Sequence, residues 1–192
     1  GTHVAGTIGA IVNNNIGIAG INWDVKLMAV KVLDDSGSGA TADIIAGIVY
    51  AADNGAKVIN LSLGAFLGNS KSCPQDDQVT QNAVTYARQK GVTVVVAAGN
   101  SNSDALHFTP ASCNGVITVG ATGPTDQRAF YSNFGSVVDL AAPGGDSSVC
   151  STQTCLINST YLNNTYKLLS GTSMATPHVA GVVALLIGRN PT

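Results

Sequence analysis

Gly91-Val92-Thr93-Val94-Val95-Val96-Ala97-Ala98-Gly99-Asn100 is the stretch from which the rest of the chain is most readily read. Thr93–Ala98 is an uncharged, β-branched run of strand length, the pattern of a strand buried on both faces. Gly91 stops the helix-length segment Asp76–Lys90 before it, and Gly99-Asn100 turns the chain after it. Similar runs recur at Leu27–Leu33, Val58–Leu63, Val116–Gly120 and Val137–Ala141. Between them, Thr41–Asn54 places Ile44, Ile45, Ile48, Val49 and Ala52 on one helical face. Strands alternating with helices predict an α/β fold with a doubly wound, mostly parallel sheet flanked by helices, and Thr93–Ala98 as a central strand. In such sheets binding residues gather at the carboxyl ends of the strands, which directs attention to Asn100. No repeat or linker divides the chain, so one domain spanning 1–192 is expected. Gly99–Asn114 and Pro143–Tyr166 are the long irregular stretches, the second read as a surface excursion.

The chain has 192 residues, 22 of them Gly, with 45% hydrophobic and 10% charged residues, a composition suited to a packed core and not to disorder. Nine Lys and Arg against eleven Asp give a net charge of −2, too small a field for nucleic-acid binding. The most apolar stretch, Val179–Ile187, falls short of the roughly 18 residues of a membrane span and reads as a core helix. Neither nucleic acid nor membrane is therefore expected as a partner. Four Cys allow three pairings; Cys73 with Cys113 and Cys150 with Cys155 is the most economical, and a zinc site is disfavoured because no His flanks Cys150 and Cys155. Disulfides imply a secreted or extracytoplasmic setting. Asn60, Asn158 and Asn163 begin N-x-S/T triplets, which discriminate nothing without knowing the source.

The segment Gly171-Thr172-Ser173-Met174-Ala175-Thr176-Pro177-His178-Val179-Ala180-Gly181 puts a hydroxyl at the mouth of an apolar helix. There Ser173 has its own N–H and the positive helix end beside it, both suited to an anion formed on an attacked carbonyl. Pro177 is expected within about the first turn, where a missing N–H costs least. The plain alternative is a capping Ser. Asn100 offers a neutral amide donor at a strand end, against the alternative of an ordinary turn Asn.

Gly171–Gly181 resembles the nucleophile signature of the subtilisin-like serine proteases, and Gly1-Thr2-His3-Val4-Ala5-Gly6-Thr7 resembles their His signature. Ala98-Gly99-Asn100 and Ile59-Asn60-Leu61-Ser62-Leu63-Gly64 extend the likeness over essentially the whole chain. The resemblance implies a serine endopeptidase with Ser173 as nucleophile and the Asn100 amide as second oxyanion donor. It also places the catalytic His and Asp, and a central first strand, before Gly1. The expectation is therefore a partial catalytic domain, lacking N-terminal strands and inactive alone, with Gly188–Thr192 ending where the nucleophile helix finishes. His3 does not substitute for the base. On a helix it lies three positions past the missing His, about 4.5 Å along the axis and beyond catalytic hydrogen-bond reach. His178 reads as a core His, and His107 has no signature around it.

Gly37, Ser38 and Gly39, with Ser62, Leu63 and Gly64, are small-residue segments after strand-like runs that could hold an extended peptide, if they are more than turns. By resemblance they clamp the acyl side of a polypeptide substrate, while Ser62–Ala65 and Ala97, Ala98 and Gly99 wall a roomy apolar pocket with Phe108 as its floor. A prodomain or inhibitor is the further partner the resemblance implies. Asn13–Ile18 resembles the family's calcium loop, with Asn14, Ile16 and Ile18 as a partial structural site; a plain Asn-rich turn is the alternative. Two rivals remain: a catalytically silent subtilisin-like peptide-binding module, and an α/β-hydrolase. Ala175 and the lack of any Asp or Glu after Ser173 disfavour the latter.

Overall fold

A computed structural model describes residues 1–189; Asn190–Thr192, the end of the expected domain span, lie outside the described residues. Its centre is a parallel sheet in the order β1 (Val58–Leu61), β3 (Thr93–Ala97), β5 (Ile117–Thr122), β6 (Leu140–Pro143). Thr93–Ala97 is thus an interior strand, paired with β1 through Val58↔Thr93 and with β5 through Val95↔Ile117. Its period of two supplies both faces. Val94 and Val96 pack with Ile48, Ala52, Ala83 and Ala87 from α2 (Thr41–Asp53) and α4 (Gln78–Gln89). Val95 joins Val119, Ala142, Ala175 and Val179 beneath α5 (Thr172–Arg189) on the opposite face. Helices on both faces of one parallel sheet are the doubly wound arrangement that the alternating runs predict.

Several boundaries differ from expectation. Leu27–Leu33 is not a strand: no neighbour gives it a ladder among the described residues, although Val30 packs into the α2 cluster. Leu27 and Met28 are exposed and Val30, Val32 and Leu33 only half-buried, and strand pairing needs a hydrogen-bonded partner. Asp76–Lys90 is two helices, α3 (Cys73–Asp76) and α4, because Asp77 leaves the helix to cap α4 through the Thr80 N–H. Gly91, at φ +79°, ends α4 as anticipated. Val137–Ala141 slides to Leu140–Pro143 because Val138 is held in a turn on the Gly135 carbonyl.

Pro143–Tyr166 is not all irregular. Beyond the Cys150–Cys155 disulfide, β7 (Ile157–Tyr161) and β8 (Thr165–Leu169) form an antiparallel hairpin. On it rests α1 (Thr2–Gly9): a Cβ on Gly6 would stand 2.2 Å from Thr160 Oγ1, so only Gly allows the approach. The Cys73–Cys113 disulfide ties α3 to the segment before β5. A two-stranded pair, β2 (Ala65–Phe66) with β4 (Phe108–Thr109), completes the strands of the described residues. No described helix is long and apolar enough to cross a membrane.

Candidate active site

Ser173 is the second residue of α5, so its N–H has no intrahelical acceptor. Pro177 is not in the first turn but is the sixth helical residue. Lacking an N–H, it leaves the Ser173 carbonyl without its partner four residues on. A side chain supplies the replacement. Ser62 Oγ donates to that carbonyl at 2.9 Å, and Asn60 Nδ2 donates to Ser62 Oγ at 3.0 Å. In return Ser173 Oγ donates to the Ser62 carbonyl at 3.3 Å. The residue after β1 and the helix mouth are thereby stitched together across 111 positions of sequence.

Asn100 approaches from the end of β3. Its Oδ1 accepts from the Thr172 N–H at 2.8 Å and from the Thr172 hydroxyl at 2.9 Å, while Thr172 Oγ1 accepts from the Gly99 N–H at 3.2 Å. With Oδ1 engaged, the donor end of the amide is left for a ligand. A Cβ built on Gly171 would lie 3.6 Å from Asn100 Nδ2 and 3.7 Å from the Ser173 nitrogen. Both donors thus border one small volume beside Gly171, at the helix mouth. Gly171 is held in turn by its N–H on the Gly144 carbonyl, at 2.9 Å, and Tyr131 OH donates to the carbonyls of Gly144 and Gly145. Burial pushes the Tyr131 phenol above its ordinary range.

The three His are engaged elsewhere. His3 is buried, with Nε2 3.1 Å from the Ile157 carbonyl and 2.9 Å from the Lys167 carbonyl, so it clips the β7–β8 hairpin to α1. Its Nδ1 is buried without a partner, and desolvation holds its pKa below the usual imidazole value. His178 Nδ1 sits 2.8 Å from the Met174 carbonyl, and burial first, then the charge of His3, lowers its pKa. His107 Nδ1 lies 2.9 Å from the Lys71 carbonyl.

The other expected site residues divide into two groups. Ser62, Leu63 and Gly64 leave β1 beside the helix mouth, and Ala97, Ala98 and Gly99 end β3 there. Gly64 is required, since a Cβ would meet the Thr109 carbonyl at 2.9 Å. Phe108 is buried, packs on Phe66 at 5.2 Å between ring centroids, and borders Gly99. By contrast Gly37, Ser38 and Gly39 are exposed on a turn before α2, and the hydrogen bonds of Gly37 and Ser38 return to Asp34. A groove of about 590 Å³ between Val30–Asp34 and α2 adjoins Ser38 and Gly39; neither Ser173 nor Asn100 lines it.

Asn14, Ile16 and Ile18 lie on a loop shaped by positive φ at Asn13, Asn15 and Gly17. Asn14 Oδ1 already accepts the Ile16 N–H at 3.0 Å. No cluster of His, Cys or acidic residues able to hold a metal occurs among the described residues. Calcium takes about six to eight oxygens, commonly including carboxylates, so these neutral donors fit it only in part.

Thr172 and the Ser62 hydroxyl escape a reading of local pattern because their partners are remote. Reciprocal Ser and Thr contacts of this kind have no signature beyond the motifs that contain them.

The fold and this corner define a class, and comparison with known proteins assigns it. The subtilase family profile matches residues 1–192, and the chain belongs to that family. It is 49% identical to thermitase of Thermoactinomyces vulgaris over 189 residues, 98% of this chain and 61% of thermitase. With subtilisin Savinase of Lederbergia lenta it shares 43% over 192 residues, 100% of this chain and 64% of that protein. Among solved structures, a protease of Pseudoalteromonas arctica PAMC 21717 superposes with a TM-score of 0.88 at 41% identity, covering 98% of this chain and 58% of that one. The chain thus spans less than two thirds of the length of these relatives.

Proposed function

We propose that the protein is a serine endopeptidase in which Ser173 Oγ attacks a peptide carbonyl and the resulting oxyanion is bound by the Asn100 amide and the Ser173 N–H. One observation carries this reading: the Asn100 amide, tied to Thr172, and the Ser173 N–H border a single point beside Gly171 at the mouth of the helix that bears the hydroxyl. Preorganised donors around developing charge are the largest source of rate in acyl transfer. The Ser173 proton must pass to a base, which then delivers it to the leaving amine; water and the same base complete deacylation. None of His3, His107 or His178 hydrogen-bonds Ser173 Oγ, which points to the Ser62 carbonyl. The base and its orienting carboxylate are those that the family order Asp, His, Ser places before Gly1. The 192 residues alone are accordingly inactive.

Polypeptide is the substrate class. Half-buried Ser62 and Leu63, exposed Gly64, buried Ala97 and Ala98 and half-buried Gly99 around the helix mouth support a pocket for an apolar side chain floored by Phe108. Gly37–Gly39 form the outer clamp, and a prodomain or inhibitor would occupy the same trough. Calcium at Asn14, Ile16 and Ile18 draws further ligands from beyond this chain. The two disulfides support a secreted protein.

A serine-directed phosphonate tests the reading. Stoichiometric labelling of Ser173 is expected in the full-length protein, none in its Ser173→Ala variant and none in residues 1–192. A full-length protein that resists the reagent and cleaves no peptide would be a binding module.

A further inference from the structure

The turn that carries Asn100 has little rigidity of its own. Gly99 sits at φ +108° and Asn102 at φ +48°, and residues 100–103 belong to no helix or strand. A side chain 30 to 35 positions further along holds it. Asn133, 1% exposed, donates from Nδ2 to the Ala98 carbonyl at 2.9 Å, and its Oδ1 accepts from the N–H groups of Ser101 at 2.8 Å and Ser103 at 3.2 Å. Its backbone N–H donates to the Gly99 carbonyl at 2.9 Å. The peptide units on both sides of Asn100 are therefore fixed to one residue that makes no hydrogen bond to the Asn100 amide. The approach is close: a Cβ on Gly99 would stand 2.3 Å from Asn133 Nδ2. The clamp is itself rooted in the sheet, because Ser132 Oγ accepts from the Ala121 N–H of β5 and donates to the Asn133 carbonyl.

We propose that Asn133 is a positioning residue for the oxyanion amide. It locks the Gly99–Ser101 backbone so that Asn100 presents Oδ1 to Thr172 and Nδ2 to the developing charge. The inference rests on reading Asn100 as an oxyanion donor. Donor strength against a forming oxyanion depends steeply on placement, whereas substrate binding relies on other segments. Loosening the turn should therefore lower kcat and spare KM. A purely structural Asn would show itself in melting temperature and would slow any variant by the same factor.

The test is a double-mutant cycle in the full-length protein with a chromogenic peptide amide, comparing wild type, Asn133→Ala, Asn100→Ala and the double variant. Asn133→Ala is expected to lower kcat by about 100-fold, the cost of an ångström-scale misplacement, with KM nearly unchanged. The double variant is expected to be no slower than Asn100→Ala alone. Multiplying effects, or a folded Asn133→Ala enzyme with full kcat, overturns the positioning role and leaves the role of Asn100 standing. An Asn100→Ala enzyme of unchanged kcat overturns both. If Asn133→Ala does not melt cooperatively, Asn133→Ser, which retains a hydroxyl acceptor, undergoes the same cycle with the same expected and overturning results.

Discussion

The turn at Gly99–Asn100 and the turn at Ser36–Gly39 read alike in sequence, each a cluster of small or polar residues after an apolar run, yet they are held by opposite means. Asn100 is fixed by Thr172, 72 positions away, and its flanking peptides by Asn133. Ser36 and Ser38 are fixed by Asp34, two and four positions away, through Oδ1 contacts of 2.6 to 3.0 Å. The first turn is cross-linked through packed elements and the second is self-contained and exposed. A group that must meet a transition state within a fraction of an ångström gains from remote anchors, because local turns move as units. A segment that must accept varied side chains does not need them.

Asn100→Ala should expose this difference most strongly. The Thr172 N–H and hydroxyl lose their shared acceptor, and the oxyanion loses a donor. Turnover by the full-length enzyme should fall by about 100- to 1000-fold, a magnitude measured in subtilisin, a member of the same family, and not calculated from this geometry. KM should change little. A tenfold rise in KM at constant kcat would mean that Asn100 binds substrate without favouring the transition state.

Non-local and local contacts also respond to acid at different pH. The non-local clip formed by His3 is buried, and desolvation holds its pKa below the ordinary imidazole value of 6.5, as it does that of His178. The unfolded chain then binds protons that the folded one refuses. Stability is full above about 6.5 and declines as pH falls from there toward the lowered folded values. Asp34 behaves differently. Its pKa is lowered from 3.8 by the Ser36 hydroxyl and then the Ser38 N–H, so its contribution is present above 3.8 and lost only as pH falls through the lower folded value. Urea midpoints should thus drop between pH 7 and pH 5, and His3→Gln, which cannot titrate, should flatten that part of the profile. An unchanged profile in His3→Gln would leave the clip without a role in acid sensitivity.

Legibility in the sequence followed the same division. Thr93–Ala98 announced an interior strand because burial on both faces writes an unbroken apolar run, and Gly91 announced a stop because its positive φ favours glycine. The β7–β8 hairpin went unread: its strand Thr165–Leu169 is half exposed, and polar Asn, Ser and Thr fill Ile157–Tyr161. Leu27–Leu33 misled because an apolar run reports neither burial nor a neighbouring strand: Leu27 and Met28 are exposed, and Val30, Val32 and Leu33 are only half-buried. At the site, Ser173 and Asn100 stood out through their motifs. Asn133, in Ser132-Asn133-Phe134-Gly135, has the look of any turn asparagine, since a side chain that works through distant peptides leaves no periodic trace.

The smallest effect should come from Asp34→Ala. The substitution deletes the acceptor for the Ser36 and Ser38 N–H groups and the Ser36 hydroxyl, all within an exposed turn that water can re-solvate. Nothing in the sheet depends on it, so melting of the full-length protein should move by no more than about 2 °C. What should change is KM for peptides long enough to lie along Gly37–Gly39, with kcat and the KM of short substrates unaltered. Selective weakening of long peptides would mark this turn as a substrate clamp governed by local bonds. A melting loss comparable to that caused by removing the His3 clip would instead mean that the strap from Val30 to Gly39 supports the core through its contact with α2, and the contrast between the two turns would fail.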